Sequence, residues 1–206
     1  MGKSYQISKS VFDIFLSAAA IILLIPLLVL IFILIRVNDG SPSLYLGERV
    51  GKKEVNFKII KFRTMYLNSE KKSGGNVTSD NDPRITRIGK ILRKYKLDEL
   101  PQLFNILKGD MSLVGPRPEV KEYVDLYSKE DKKIILSVKP GITDLSSLEF
   151  VQLGKTLGKN DNQVHFNIQV EKVLKRKIEL RREYVQNMSF FLDLKIIIKT
   201  INKILR

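Results

Sequence analysis

Residues 18–35 read AAAIILLIPLLVLIFILI, an apolar run of about eighteen residues, the length that crosses or enters a bilayer as a helix. From Val11 to Ile35 the only charged residue is Asp13. The run is longer than the core of a cleavable signal peptide, and no Ala-x-Ala-like site follows before Arg36. At its middle stands Pro26, which removes a backbone hydrogen bond and crowds the preceding turn, so a kink is expected there. Lys3 and Lys9 precede the run, and Arg36 and a basic domain follow it. Basic residues stay on the cytoplasmic face, so both flanks favour the same side. The segment is therefore read as a re-entrant membrane helix bent at Pro26, occupying residues 1–37.

Outside this run the chain is soluble in character. Residues 38–206 suffice for one compact domain, expected on the cytoplasmic face of a cytoplasmic membrane. A net charge of +14 calls for an anionic partner: nucleic acid, an anionic membrane or a phosphate-rich substrate. With no cysteine and only His165, thiolate chemistry, disulfides and Cys- or His-built metal sites are excluded. Carboxylates, basic groups and a bound cation are what remain.

The expected architecture is helix-rich α+β. Ser43 to Val50 and Val55 to Met65 flank Gly51-Lys52-Lys53 and read as a small β-hairpin. Ser69 to Asp82 reads as a polar loop around Gly74-Gly75, either a plain connector or a cover over substrate. Asp82-Pro83 is expected to open an amphipathic helix, with Ile85, Ile88, Ile91 and Leu92 on one face. Arg84, Arg87, Lys90, Arg93 and Lys94 would cover the rest, and such a helix suits either the domain surface or a headgroup layer. A single helix is expected from Glu119 to Ile135, and a helical tail from Val170 to Leu205 broken near Asn187-Met188-Ser189. The tail has three available roles: packing on the domain, the expected one, lying on the membrane, or forming a homodimer contact. His165 is given no role.

Two segments carry chemistry. Leu97-Asp98-Glu99-Leu100-Pro101-Gln102 leads into a helix that Gly109 would stop, with Asp98 as N-cap. At such a helix start two adjacent carboxylates converge on exposed amides and on a cation, and the helix dipole would keep Asp98 ionised. Mg2+ held partly by a carboxylate would neutralise phosphates that repel the nucleophile. A plain capping role competes with this. In Gly115-Pro116-Arg117-Pro118 the flanking prolines present Arg117 with little entropy left to lose, and its planar fork suits phosphate oxygens. A structural turn with Arg117 paired to a surface carboxylate is the alternative.

Read together, the chain resembles the bacterial sugar transferase family, the monotopic phosphoglycosyl transferases. The resemblance runs through the apolar anchor and its proline, Glu48-Arg49-Val50-Gly51, Lys61-Phe62-Arg63-Thr64-Met65, Asp82-Pro83-Arg84-Ile85-Thr86, Leu97 to Gln102, Gly109 to Pro118 and Lys139-Pro140-Gly141-Ile142-Thr143. It implies that Asp98 attacks the β-phosphate of a UDP-sugar to give an aspartyl phosphosugar and UMP. Polyprenyl (undecaprenyl) phosphate then takes the phosphosugar, the first membrane step of bacterial glycoconjugate or exopolysaccharide assembly. Glu99 would orient Mg2+ with Asp98, Arg117 would grip a phosphate, and Lys61, Arg63 and Arg87 would contact substrate phosphate or lipid. Departures are Ile25 where serine is common, Gly47 for glutamine, Lys96 for a small hydroxyl residue, and Asp144-Leu145-Ser146-Ser147 for a Gly-Leu continuation. The rivals are a membrane glycosyl transferase, which would release UDP, and a non-enzymatic basic module. No nucleic-acid motif or aromatic stacking platform accompanies the basic runs.

Overall fold

The computed structural model describes residues 3–67, 69, 82–150 and 163–204, the side chains of 3–4 and 163–170 excepted. The loop read over Ser69 to Asp82 lies, apart from its two end residues, outside the described residues, as does the side chain of His165. The elements are α1 (Lys3–Asp39), β1 (Leu44–Val50), β2 (Asn56–Phe62), α2 (Arg87–Lys94) and α3 (Gln102–Lys108). Then come β3 (Ser112–Val114), α4 (Lys121–Asp125), α5 (Lys129–Ile135), β4 (Gly141–Thr143), α6 (Leu145–Glu149), α7 (Gln163–Asn187) and α8 (Phe190–Ile204). This is the expected helix-rich α+β architecture.

Helix α1 is the one described helix long and apolar enough to cross a membrane, and it continues through Pro26. Its inward stripe is Asp13, Ser17, Ile21, Leu28, Ile31 and Ile35, all buried, at spacings that keep one helical face turned to the domain. Ile21 joins Ile59, Leu103, Ile106 and Met111 in one core cluster. Leu28, Ile31 and Ile35 join Phe62 and Leu92 in a second. The opposite face exposes Phe15, Leu23, Ile25, Val29, Leu30 and Ile33, and Pro26 is also exposed.

The hairpin forms as read, with β1 antiparallel to β2 from Leu44 opposite Phe62 to Val50 opposite Asn56. Asn105 fastens it to α3. Its Nδ2 donates to the Lys58 carbonyl at 2.8 Å, and its Oδ1 accepts from the Ile60 N–H at 2.9 Å. The side chain is fully buried, so the two backbone groups have no water to fall back on.

The sequence pattern did not disclose a short parallel pair, Ser112 opposite Gly141 and Val114 opposite Thr143. The chain segments touch closely beside it, since a Cβ on Gly141 would stand 2.1 Å from the Gly115 nitrogen. The third core cluster, Val114, Val138, Tyr184, Val185 and Ile196, packs α7 and α8 onto this pair. The helical tail thus packs on the domain, and its break falls at residues 188–189.

Three element expectations need correction. Helix α2 starts at Arg87 instead of Asp82, because Thr86 is its cap and accepts from the Gly89 N–H at 2.9 Å. Asp82 instead chelates its neighbour Arg84, with Arg84 Nη2 at 2.6 Å, while Ile85 bridges to Met65. Arg84 is therefore buried, Ile91 is exposed, and the mixed face read from the sequence splits differently. The single helix expected over Glu119 to Ile135 is two, because Ser128 caps α5 by accepting from the Asp131 N–H. The third correction concerns Asp98 and belongs to the site.

Asn105→Leu leaves two buried backbone groups unpaired and is expected to cost about 2–6 kcal/mol, from about 1–3 kcal/mol for each unsatisfied group. Thermal loss of helical circular dichroism in detergent checks this; a variant melting with the parent would mean another contact holds β2 on α3.

Candidate active site

Asp98 and Glu99 lie in a separate 3-10 turn, Leu97–Glu99, and α3 begins only at Gln102. Asp98 is not the N-cap of α3: Pro101 holds that position. Lys96 explains why, since its backbone is left-handed (φ 56°) and starts the turn independently of the helix. A lysine in that region stores about 1–2 kcal/mol of strain, a feature that concentrates at functional sites. Leu97 and Leu100, on either side of the carboxylates, pack on the core cluster that Leu28, Ile31 and Ile35 of α1 form with Phe62 of β2 and Leu92 of α2. The turn therefore shares a core cluster with the apolar helix.

Glu99 is held by two cations. Arg117 Nη1 donates to its Oε2 at 3.1 Å, Arg117 Nη2 to its Oε1, and Lys61 Nζ to Oε1 at 3.2 Å. Burial alone would raise the Glu99 carboxyl, but Arg117 and Lys61 overturn that and hold it far below the ordinary carboxylate range. The Lys61 ammonium is lowered by burial, against the pull of Glu99. Arg117 Nη1 also donates to the Ile142 carbonyl, and its backbone N–H donates to the Asp144 carboxylate at 3.1 Å. Both carboxylates read from the sequence, Arg117 and Lys61 thus come together from three separated segments.

Asp98 is different. It is buried at 8% exposure, and its Oδ1 has no hydrogen-bond partner. Burial first, and the charge of Glu99 second, push its carboxyl above the ordinary range, while Lys61, Lys96 and Arg93 pull the other way. The sequence did not single out Arg93, which reaches this side of the turn and donates to Thr64 Oγ1 at 2.8 Å. The expectation that a helix dipole sets the Asp98 charge is replaced by this balance of burial and side-chain cations.

Two further residues read as phosphate contacts are Arg63 and Arg87. Arg63 is buried and its Nη2 donates to the carbonyls of Asp39 (2.6 Å) and Gly40 (2.9 Å), closing the C-terminal end of α1. Arg87 is exposed at the first turn of α2.

The donor set fits Mg2+, an ion that proteins hold through one or two carboxylates with substrate phosphates completing the shell. Asp98 Oδ1 is an acceptor left without a donor, and Glu99 adjoins it. Among the described residues no cluster of three or more His, Asp or Glu forms a cage of its own.

A family model for the bacterial sugar transferases matches residues 4–206. The chain belongs to this family. It is 39% identical over 203 residues to the UDP-N-acetylgalactosamine-undecaprenyl-phosphate N-acetylgalactosaminephosphotransferase of Aeromonas hydrophila, a match covering 98% of this chain and 44% of that protein. It is 40% identical over 202 residues to the uncharacterized sugar transferase EpsL of Bacillus subtilis, covering 97% of this chain and 88% of the relative. It is 35% identical over 209 residues to the exopolysaccharide production protein ExoY of Sinorhizobium fredii, covering 95% and 84%. The chain thus spans less than half of the first relative and most of the other two.

Because the Asp98 carboxyl is raised in the fold, its ionisation costs stability, a cost absent below the ordinary carboxylate range and incurred as pH rises through the folded value. Asp98→Asn is therefore expected to melt higher than the parent at about pH 7 and to lose that advantage toward about pH 4. Paired thermal melts at the two pH values check the sign; a variant less stable at neutral pH would contradict it.

Proposed function

We propose that this chain transfers a sugar 1-phosphate from a UDP-sugar to polyprenyl phosphate, with Asp98 as nucleophile. The observation that carries the reading is the buried Asp98 oxygen that no group of the protein satisfies, rimmed by cations on a turn that shares a core cluster with the apolar helix. A carboxylate kept from water and from hydrogen bonds is a stronger nucleophile than a solvated one. The names of several relatives specify undecaprenyl phosphate with N-acetylgalactosamine, galactose or glucose phosphate.

In this reaction an Asp98 oxygen bonds to the β-phosphorus while the bond from that phosphorus to the bridging oxygen breaks. UMP leaves with the bridging oxygen. A phosphate oxygen of the polyprenyl acceptor then attacks the same phosphorus and breaks its bond to Asp98, restoring the carboxylate. Asp98 and Glu99 would hold Mg2+, which would supply neutralisation of the diphosphate oxygens. Arg117 and Lys61, locked by Glu99, place two cations beside the turn, where phosphate oxygens would gather charge.

The membrane reading rests on how α1 meets the domain. Asp13 accepts from Ser112 Oγ at 2.6 Å near one end, and Ser43 Oγ donates to the Phe32 carbonyl near the other. Contact thus extends over a helix length of about 30 Å, at about 1.5 Å per residue, comparable to the whole hydrocarbon core. A helix spanning the bilayer would have lipid around that length, so its long contact with a polar domain supports entry and exit on the cytoplasmic face; the bend at Pro26 is a further part of the proposal, α1 itself running on through that residue.

Incubating the purified protein with Mg2+ and UDP-N-acetylgalactosamine, UDP-galactose or UDP-glucose, without acceptor, is expected to give a phosphosugar adduct by intact mass that Asp98→Asn abolishes. Acceptor-dependent release of UDP in place of UMP would instead establish a glycosyl transferase. For topology, cysteines at Ile7 and Asn38 in this cysteine-free chain are both expected to resist an impermeant maleimide in intact cells and to react in inverted vesicles. Labelling of either one from outside would overturn re-entry.

A further inference from the structure

Arg181, on α7, is 1% exposed, which is unusual for a guanidinium. Its Nη2 donates to Glu119 Oε1 at 2.6 Å, its Nη1 donates to the Tyr127 hydroxyl, and its Nε stands 3.6 Å from Asp144 Oδ2. Asp144 is fully buried and does three further things. It caps α6 by accepting from the Ser147 N–H at 2.6 Å, it accepts from Ser146 Oγ at 2.7 Å, and it accepts from the Arg117 backbone N–H at 3.1 Å. Burial alone would raise the Asp144 carboxyl; Arg181 and the serine bonds overturn that and keep it below the ordinary range. Glu119 and Arg117 stand on the two sides of Pro118, so both carboxylates that Arg181 holds grip the same short loop.

We propose that Arg181 is a positioning residue for Arg117, fixing the 115–118 loop from across the fold through Asp144 and Glu119. The kinetic half of this rests on the transfer reading above, in which Arg117 meets the donor's phosphates. The geometric half does not. Removing the guanidinium leaves two carboxylates without their shared cation, and the loop loses its registration on α7. The other charged groups facing this cluster are Lys177, one turn back on α7, and Arg117 itself. Neither forms an ion pair with Asp144 or Glu119 among the described residues, so neither replaces Arg181.

The test compares Arg181→Met, Arg181→Lys and Asp144→Asn with the parent in detergent, by two readouts. Residue-resolved hydrogen exchange of the Arg117 amide is expected to quicken on the order of tenfold or more in Arg181→Met, while the Ile59 and Ile60 amides of the hairpin hold their rates. With the donor that yields UMP, its KM is expected to rise on the order of 10- to 100-fold, with kcat falling less and Arg181→Lys intermediate. Equal quickening at Arg117 and the hairpin, with parental kinetic constants, would show a purely structural arginine and overturn the proposal. Unchanged exchange at Arg117 would also overturn it. If Arg181→Met does not fold, Arg181→Lys and Asp144→Asn decide by the same criterion, since both nearly preserve side-chain volume. A parent that releases no UMP defeats the transfer reading, and the exchange at Arg117 then still decides whether Arg181 positions it.

Discussion

The constraint on which the site depends is the burial of Glu99. A carboxylate withdrawn from water costs several kcal/mol unless cations and hydrogen bonds replace its hydration. Glu99 solves this with Lys61 from β2 and Arg117 from the proline-flanked loop. The backbone of Arg117 is in turn tied to Asp144, and the buried Asp144 requires Arg181, which also takes Glu119. Charge alternates along this line, Lys61, Glu99, Arg117, Asp144, Arg181, Glu119, so each link supplies the neutralisation that the previous one needs. The line joins β2, the 3-10 turn, the loop after β3, the start of α6 and α7. These segments are far apart in sequence, and no single short element would hold them in register.

Asp98 is the member left out. It shares the burial but receives no hydrogen bond at Oδ1, and cations reach it only through space. Its neighbours are satisfied at its expense: Lys61 and Arg117 close on Glu99, and Arg93 bonds Thr64. An unsatisfied charge inside a satisfied network destabilises the fold locally, and such groups persist where their reactivity is used. The strained backbone of Lys96, one residue before the turn, belongs to the same local cost.

The sequence disclosed those features that follow from local rules. Apolar continuity gave α1, alternation and a turn gave the hairpin, and an Asn-Met-Ser break divided the tail at residues 188–189. The residues gathered at the site, Asp98, Glu99, Arg117 and Lys61, were also readable, because family-like motifs carry them. Illegible were the features fixed by partners distant in sequence. Arg63 reads like any basic residue of its motif, yet the end of α1 claims it. Arg84 reads as a solvated helix face, yet Asp82 folds back on it. Asp98 matches every local rule for an N-cap, and the left-handed Lys96 overrides them. Arg181 carries no local signal at all, because its meaning lies in Glu119 and Asp144, which are 62 and 37 positions earlier in the chain. Asp144 did attract notice as a departure from the family-like pattern, and its burial against Arg181 gives that departure a physical partner.

One tension in the proposed reaction resolves on inspection of the donors. Arg117 is read as a phosphate contact, yet in the structure it already holds Glu99. A guanidinium carries five N–H groups, and Glu99 with the Ile142 carbonyl accounts for three hydrogen bonds from them. The side chain retains 31% exposure, against 12% for Glu99, so the arginine is the more open member of the pair. In the proposed reaction a phosphate would approach Arg117 without displacing Glu99, and it would meet a fork whose orientation has already been set. Under this arrangement the ion pair is not a competitor for the ligand. It is the means by which a long, flexible side chain arrives with little entropy left to lose, which is where preorganisation gains its advantage.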